Sequence, residues 1–590
     1  MLLSLKSPDV CRFGTWAIAC LVLAGCSTPL PPYAPKGMDT PFATPLPADA
    51  PASGVQAAPA SAPPIASSPA DPPAELAPPY GEAVAARFPE PAVQYRTPAF
   101  EPGRRSFTSN AELAAALRAL LREGPSAPGR PSVRLLTVGS SQGGVPLEAL
   151  LFTRVAEGTP AALQRASRPT VLLIGQQHGD EPAGAEALLA IAQELAQGPL
   201  ARVLEQINVV LMPRANPDGA QTGSRMTSSG IDPNRDHLLL RTPEAQAMAQ
   251  LARDYRPSVV IDAHEYAVIK PYVEKFGAVP RFDALVQYAT VANLPEFVTK
   301  GAEEWFRQPM LASLGAQGLS TEWFHTASSD TTDKKLTMGS VQPDTARNVN
   351  GLRNAISFLI ETRGVGLGRM HYARRVHTHV VAIKSVLDSA AKRAAELTRL
   401  RRFVDTEVAG SACRGQIVVA AAASPSEYNL TMLDPITGAD RKLSVIWDSA
   451  LELEVRKARS RPCGYWLGEA QIDAVLRLRA LGVAVQQVQQ NGVVRGEVYQ
   501  ETVREVVTRA DAQGGVGETL LRIEVATLPS LVDAAAGSYY VSLDQPLAHL
   551  ASAALEPDAL HSYVAHRVLN ALSGVARVTA RPDWRMSALP

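Results

Sequence analysis

The sequence predicts an α/β fold: a mixed, mostly parallel sheet flanked by helices, followed by a smaller α+β domain. Apolar, β-branched runs alternate with helical patterns across the middle of the chain, which is typical of a parallel sheet with helices on its faces. Several of these runs end in polar residues, and the carboxyl ends of parallel strands commonly form a ligand-binding crevice. From about residue 411 the pattern changes to strand-like segments mixed with one helix, which indicates a second domain.

Length and composition limit the possible organisation. The chain has 590 residues, of which 46% are hydrophobic, enough for two domains and additional non-globular segments. The formal net charge is +0, which argues against a nucleic-acid partner because such proteins normally present a basic face. We assign 105–405 to the first domain and 406–590 to an accessory α+β domain; the sequence leaves the oligomeric state open.

The first 26 residues are typical of a bacterial export signal. Lys6 and Arg12 precede a short apolar run that ends in Leu-Ala-Gly-Cys. This ending resembles a lipobox, which implies that Cys26 carries a lipid; an ordinary signal peptide or an uncleaved anchor helix are the alternatives. Ser27 follows instead of an aspartate, so the resemblance implies an outer-membrane lipoprotein of the cell envelope, facing the periplasm, with surface exposure as an alternative.

A tether is predicted between this signal and the first domain. Pro, Ala and Ser dominate 27–104, most strongly before residue 92. Such a composition cannot bury enough apolar surface to offset the entropy lost on ordering. We therefore predict a disordered spacer that holds the folded part away from the membrane; a peptide ligand for a partner domain is the alternative.

Two cysteines remain outside the signal, Cys413 and Cys463. An even pair in an exported protein is a disulfide candidate. Two independent buried thiols are the alternative.

Each element of the first domain has its own signal. A capped amphipathic helix is predicted after Ser109, and two strand-like runs joined by Ser-Gln-Gly-Gly predict a hairpin. The later predicted elements, in chain order, are a strand and helix in 171–196, a strand at INVVLMPRA, a helix at PEAQAMAQLARDY, a strand at PSVVIDAHEY, a helix running into a strand at NVNGLRNAISFLIETRG and a helical segment over 369–403. In the second domain the strand-like runs are GQIVVAAAA, SEYNLTMLD, RKLSVIW and ETVREVVTRA, with a helix at EAQIDAVLRLRALG.

Three side chains at predicted strand ends can bind a metal. His178 and Glu181 stand three residues apart between the strand and the helix of 171–196, and His264 ends another strand. Two histidines and one glutamate are the ligand set of a catalytic zinc site that keeps a position open for water. Asp262 or Glu265 is predicted to orient a ligand histidine through a hydrogen bond.

A family resemblance follows from five motifs in a fixed order: GQQHGDEPAG, NPDGAQTGSR, GIDPNRDH, VVIDAHEY, and TARN followed by GLRNAISFLIETRG. Together they resemble the A-type zinc carboxypeptidases of the M14 family, in a bacterial lipoprotein form, across residues 105–365. The resemblance implies that His178, Glu181 and His264 bind one zinc ion.

The same resemblance implies roles for four further residues. Arg225 would polarise the scissile carbonyl, as a preorganised donor for developing negative charge. Asn234 and Arg235 would hold the C-terminal carboxylate of the substrate, for which a guanidinium is suited. Glu361 would be the general base and acid, a role that a carboxylate at a strand end can perform.

One departure from the family pattern concerns a tyrosine. The familiar enzymes carry a mobile tyrosine about twenty residues before the catalytic glutamate, and residues 326–360 contain none. Four residues are candidates to replace it: Tyr266, Tyr272, Trp323 and His325. Two glutamates, Glu322 and Glu265, are weaker candidates for the general base.

Three functions are therefore open at this point. The first is a lipid-anchored zinc carboxypeptidase that trims peptides. The second keeps the chemistry but acts as an amidase or endopeptidase on peptidoglycan peptides, or as a deacylase of acyl amino acids. The third is a non-catalytic binding lipoprotein.

Overall fold

The computed structural model describes residues 80–122, 132–270, 272–328, 330–508 and 518–589. The predicted signal peptide, Cys26 and the predicted tether up to residue 79 lie outside these ranges. Among the helices of the described ranges, none combines the length and apolar composition required to cross a membrane.

Twenty strands are found in these ranges: β1 (Ser132–Ser140), β2 (Pro146–Thr153), β3 (Thr170–Gly175), β4 (Asn208–Met212), β5 (Val259–Ala267), β6 (Val279–Pro280), β7 (Ala284–Tyr288), β8 (Thr321–Trp323), β9 (Thr326–Ala327), β10 (Lys335–Thr337), β11 (Ile356–Val365), β12 (Gln416–Leu433), β13 (Asp440–Ser460), β14 (Gly464–Leu467), β15 (Gln486–Val488), β16 (Gly492–Thr508), β17 (Thr519–Ala534), β18 (Tyr539–Ser542), β19 (Val575–Val578) and β20 (Met586–Ala588).

The α-helices of the same ranges are α1 (Glu82–Ala85), α2 (Asn110–Arg122), α3 (Pro160–Arg165), α4 (Pro182–Gln197), α5 (Pro217–Thr222), α6 (Pro243–Tyr255), α7 (Tyr272–Phe276), α8 (Glu296–Gly301), α9 (Gln308–Ala316), α10 (Ala346–Leu352), α11 (Tyr372–Lys392), α12 (Ala394–Gly410), α13 (Ile472–Ala480) and α14 (Ala548–Leu555).

The central sheet has eight strands in the order β1-β2-β4-β3-β5-β11-β7-β8. Its middle strands β4, β3, β5 and β11 are parallel to one another. The β1–β2 hairpin is antiparallel and pairs antiparallel with β4, and β7 is antiparallel to β11 but parallel to the edge strand β8. Every residue of β3 and β4 is buried, as expected for strands that are covered on both faces. The predicted mixed, mostly parallel sheet flanked by helices is confirmed.

Helix α4 shows how the sequence produces this layering. It begins at Pro182, which fits the first helical turn because proline lacks an N–H group. Leu188, Ile191 and Leu195 recur at helical spacing and are fully buried. Full burial of each such side chain contributes roughly 1.5–3 kcal/mol, so this face fixes α4 against the sheet and against α11. The loop before α4 is thereby held at the carboxyl end of β3.

The predicted tether over 27–104 is wrong for residues 80–104. Tyr80, Val84 and Phe88 are buried in the core, and the guanidinium carbon of Arg363 lies 3.5 Å from the ring centroid of Phe88. Aromatic side chains between the prolines supply the apolar surface that the preceding Pro, Ala and Ser do not.

The C-terminal region is β-rich and shares a sheet with the first domain. A five-stranded sheet has the order β6-β12-β13-β10-β9, so its strands come from both sides of the predicted boundary. That boundary, between residues 405 and 406, falls inside α12. A second sheet of seven strands has the order β17-β16-β19-β14-β18-β15-β20. A disulfide joins Cys413 to Cys463.

Candidate metal centre

The loop between β3 and α4 is shaped by a close backbone contact. Gln176 has a positive φ of 47°, and its side-chain Nε2 donates to the carbonyl of Gly179 at 3.0 Å. A Cβ atom at Gly179 would lie 1.9 Å from the carbonyl carbon of Gly219. Only glycine allows the two backbone segments to come this close. The contact holds the loop so that His178 and Glu181 lie at the carboxyl edge of the sheet.

His178, Glu181 and His264 converge on one point. Glu181 Oε1 lies 2.7 Å from His178 Nδ1, and its Oε2 lies 2.8 Å from His264 Nδ1. One ligand atom from each residue lies within 4.8 Å of the others, and all three residues are buried. His264 comes from β5, which neighbours β3 in the sheet.

A carboxylate contacts the other ring nitrogen of each histidine. His178 Nε2 lies 3.0 Å from Asp232 Oδ1, and His264 Nε2 lies 2.9 Å from Asp262 Oδ2. With the ring protons on Nε2, towards these carboxylates, the Nδ1 lone pairs would face each other beside Glu181 and be available to a metal ion. A zinc ion fits this set of two imidazole nitrogens and one carboxylate. A further carboxylate orients each of the two histidines.

The electrostatics of the cluster favour positive charge. Burial alone lowers histidine pKa values and raises carboxyl pKa values. Here Asp262 and Glu181 outweigh burial and raise the pKa of His264 well above its usual value. The two histidines in turn outweigh burial and lower the pKa of Glu181. Glu181 therefore stays ionised, and its charge favours a cation at this point, which is either a protonated histidine or a metal ion.

Arg225 reaches the same cluster from the loop after α5. Asn216 holds this loop, because its Oδ1 accepts from Gly219 N at 2.9 Å and its Nδ2 donates to the Met226 carbonyl at 3.1 Å. The Nη1 of Arg225 is 3.1 Å from His178 Nδ1. Its Nη2 donates to an oxygen of Asp232 at 3.0 Å. The guanidinium therefore lies beside the ligand atoms.

Glu361 lies on β11 directly opposite His264 on the parallel strand β5. Its side chain is buried, and this burial, followed by the charge of Glu181, raises the pKa of Glu361 to about 7. The other two base candidates have different partners. Glu322 accepts from the Tyr428 hydroxyl at 3.1 Å, and Glu265 accepts from Arg375 Nε at 2.6 Å. The charges of both ligand histidines lower the pKa of Glu361, in opposition to burial and Glu181, whereas the charge that chiefly lowers the pKa of the buried Glu265 is that of Arg375.

Asn234 and Arg235 make different contacts although they are adjacent. The Nδ2 of Asn234 is 3.1 Å from His264 Nε2, and its Oδ1 accepts from Ala346 N at 2.8 Å. Asn234 is buried, whereas the Arg235 side chain is 22% exposed and its Nε lies 3.8 Å from an oxygen of Asp344. Of the two side chains, Arg235 is the one that a substrate in solvent can reach.

The candidates for the missing tyrosine form one neighbourhood. The Tyr266 hydroxyl donates to the Phe282 carbonyl. The Tyr272 hydroxyl donates to the His325 carbonyl at 3.1 Å, and His325 Nδ1 contacts the Trp323 carbonyl at 2.8 Å. Backbone partners therefore hold the hydroxyls of both tyrosines.

Three residues that support the site were missed at the level of the sequence. Asp232 orients His178, as described above. Gln177 donates to Asp262 Oδ1 at 2.6 Å, and its Oε1 lies 2.8 Å from His237 Nε2. Asp232 and His237 both lie in the GIDPNRDH motif, and Gln177 precedes a ligand histidine, so proximity to the motifs was the available signal.

Comparison with known proteins finds one matching family model, several similar sequences and several partly similar structures. Residues 127–366 match the family model Peptidase_M14, zinc carboxypeptidase. Carboxypeptidase 2 of Trichophyton equinum is 28% identical over 412 residues, which cover 68% of this chain and 74% of that protein. Probable carboxypeptidase 2 of Trichophyton verrucosum is 29% identical over 401 residues, with coverages of 67% and 75%. A solved metallo-carboxypeptidase from Burkholderia cenocepacia aligns with a TM-score of 0.35 at 19% identity, over 47% of this chain and 69% of that one.

Proposed function

Since residues 127–366 belong to the M14 family of zinc carboxypeptidases, we propose that this metallopeptidase releases C-terminal amino acids from peptides with one zinc ion. His178, Glu181 and His264 would hold the ion. The observation that supports this assignment is the convergence of three buried ligand atoms within 4.8 Å of one another, with a carboxylate on the outer nitrogen of each histidine.

The general base in this proposal is Glu361. Bound zinc would polarise the scissile carbonyl and lower the pKa of a water molecule towards neutrality. The Glu361 carboxylate would accept the proton of the attacking water and pass it to the nitrogen of the leaving amine. Its position opposite His264 on the neighbouring strand supports this role.

Two arginines would act on the substrate. Arg225, held by Asp232, would donate N–H groups to the oxygen of the scissile carbonyl as negative charge develops there. Arg235 would bind the C-terminal carboxylate through its guanidinium. Asn234 would position His264 through Asp262, because its Nδ2 donates to Asp262 Oδ2 and its Oδ1 accepts from the Ala346 N–H group.

The test compares the purified full-length protein with Glu361→Gln. We expect one zinc per chain by metal analysis, release of C-terminal amino acids by the parent, and a loss of turnover of roughly 10²–10⁴-fold in Glu361→Gln with zinc retained. Glu322→Gln is the matched control, since it makes the same change at a glutamate bonded to Tyr428, and it should keep its activity. A parent without zinc would refute the proposal.

The second candidate keeps the zinc chemistry and changes the substrate. It is an amidase or endopeptidase acting on peptidoglycan peptides, or a deacylase of acyl amino acids. The familiar carboxypeptidases carry a tyrosine in the region that corresponds to residues 326–360, and this chain has none there. That difference favours a substrate other than the C-terminus of an ordinary peptide. A zinc-loaded parent that ignores free C-termini but cleaves muropeptides or acyl amino acids would establish it, whereas a metal-free protein that still binds peptides would indicate a binding lipoprotein.

For localisation, we propose that a lipid on Cys26 anchors the protein to the outer membrane, facing the periplasm, with residues 27–79 as a spacer. The support is the Leu-Ala-Gly-Cys ending of the apolar segment and the following Ser27. Cys26→Ser should move the protein from the membrane to the soluble fraction of the producing cells. A variant that stays with the membrane would contradict the anchor.

A further inference from the structure

A cavity away from the metal centre lies between the peptidase domain and the C-terminal region. Its volume is about 220 Å³, several times the roughly 30 Å³ that one water molecule occupies in the liquid. Its lining includes four arginines and no carboxylate: Arg253, Arg256, Arg353 and Arg401. The C-terminal region contributes Gly482, Ala484 and the segment 545–547.

Arg353 is the unusual member of this group. It follows α10, is only 5% exposed, and its Nη2 is buried with no hydrogen-bond partner among the described residues. Burial, followed by the charges of Arg401 and Arg253, lowers the pKa of Arg353 to about 9. An unpaired buried charge is strongly unfavourable unless a counter-charge is present. Arg353 therefore needs an anion that the described residues do not supply.

The other three arginines share two carboxylates. Asp405 accepts from Arg401 Nε at 3.0 Å and pairs with Arg256 Nη2 at 3.2 Å. Arg253 Nε is 2.7 Å from an oxygen of Asp254. Four arginines thus line the cavity with two carboxylates beside them, which leaves an excess of two positive charges around it.

Asn350 adds an acceptor to this set of donors. Asn350 lines the cavity. Its Nδ2 donates to the Ala346 carbonyl at 2.9 Å, and its Oδ1 is buried with no hydrogen-bond partner in the described ranges. We propose that the cavity is a binding site for a small divalent oxyanion of the phosphate class. Oxygens of the ion accept from Arg353 and its neighbours, and the hydroxyl of a hydrogen phosphate donates to Asn350 Oδ1.

Such an ion contacts both parts of the chain. Arg353 and Asn350 belong to the α10 segment, Arg401 to α12, and Gln545 to the C-terminal region. A ligand that binds the folded state and not the unfolded chain raises the stability of the fold with its concentration. The ion therefore strengthens the attachment of the C-terminal region to the peptidase domain.

The test uses inorganic phosphate as the probe and the purified full-length protein. Calorimetric titration at constant ionic strength should show saturable binding by the parent, and Tm should rise with phosphate but not with chloride. Arg353→Gln should raise the phosphate Kd at least tenfold. Arg399→Gln, whose side chain on α12 is 71% exposed, should leave it unchanged.

A second comparison, of Tm in chloride and in phosphate, distinguishes loss of phosphate binding from general instability of the variant. In chloride alone, Arg353→Gln should unfold at a Tm no lower than the parent, because an unpaired buried charge has been removed; in phosphate the order should reverse. If Arg353→Gln does not fold, Arg253→Gln, with a side chain that is 40% exposed, should still raise the phosphate Kd. Absence of saturable binding by the parent, or an unchanged Kd in the variant that folds, would overturn the proposal.

Discussion

Asp262→Asn tests how the metal ligand His264 is held. Asp262 is fully buried, and both of its oxygens accept hydrogen bonds. Oδ1 accepts from Gln177 Nε2 at 2.6 Å, while Oδ2 lies 2.9 Å from His264 Nε2 and 3.3 Å from Asn234 Nδ2. An asparagine amide would place an NH₂ group against a donor in either orientation. When the NH₂ group faces His264, the imidazole would respond by moving its proton to Nδ1, which removes the lone pair that faces the other ligands; when it faces Gln177, the donor–donor contact lies there instead.

The magnitude follows from this change of tautomer. Loss of a residue that orients a ligand histidine typically reduces metal affinity 10- to 100-fold, which corresponds to about 1.4–2.7 kcal/mol of binding free energy. The two facing donors add a destabilisation of the metal-free fold of roughly 1–3 kcal/mol. We therefore expect Asp262→Asn to bind zinc 10- to 100-fold more weakly than the parent.

The assay is competition for zinc with a chelator of known affinity. Asp283→Asn is the matched control, because Asp283 is also buried but pairs with Arg374 at 2.6 Å; its loss should lower stability and leave zinc affinity unchanged. A zinc affinity of Asp262→Asn within twofold of the parent would refute the reasoning. An equal loss in Asp283→Asn would show that general destabilisation, rather than the tautomer of His264, is responsible.

Three further predictions concern the stability of the fold. Gly179→Ala should abolish zinc binding and lower the free energy of unfolding by roughly 1–3 kcal/mol, because its Cβ would clash with the backbone of Gly219. The control Gly315→Ala has open space at its Cβ, so its free energy of unfolding in urea should equal or slightly exceed that of the parent. Burial and a neighbouring arginine lower the pKa of His549 to about 3. The unfolded chain therefore binds this proton first, and stability falls as pH drops from 6.5 towards 3, by about 1.4 kcal/mol per pH unit at most. His549→Gln should show a smaller difference between its urea midpoints at pH 5 and pH 8 than the parent does; an equal difference would count against this assignment. Reduction of Cys413–Cys463, whose sequence separation is 50, should lower the free energy of unfolding by about 4 kcal/mol in the chain-entropy estimate; unfolding curves that coincide with and without reductant would disprove it.

Six strands of the central sheet were predictable because each contains an apolar, β-branched run and most are separated by segments of helical periodicity, whereas β7 and β8 were not predicted. The same local reasoning failed at residues 80–104, where four aromatic residues among prolines are enough to pack the segment onto the core. The same reasoning also predicted a C-terminal domain separate from the first domain, although the two parts share a sheet. β12 and β13 pair with the short strands β6 and β10 of the first domain, and strands of two or three residues leave almost no periodic signal in a sequence.

The site divides in the same way between local and distant determinants. His178 and Glu181 are three residues apart on one loop, and the parallel pairing of β5 and β11 brings Glu361 opposite His264, so a strand-end argument finds all four. Asn234 shows what such an argument cannot find. Its adjacency to Arg235 suggests a shared carboxylate-binding role, yet the turn directs its amide towards His264 and the first N–H group of α10. Because α10 begins at the Asn234 contact and ends beside the arginine-lined cavity, this helix lies between the metal centre and that cavity.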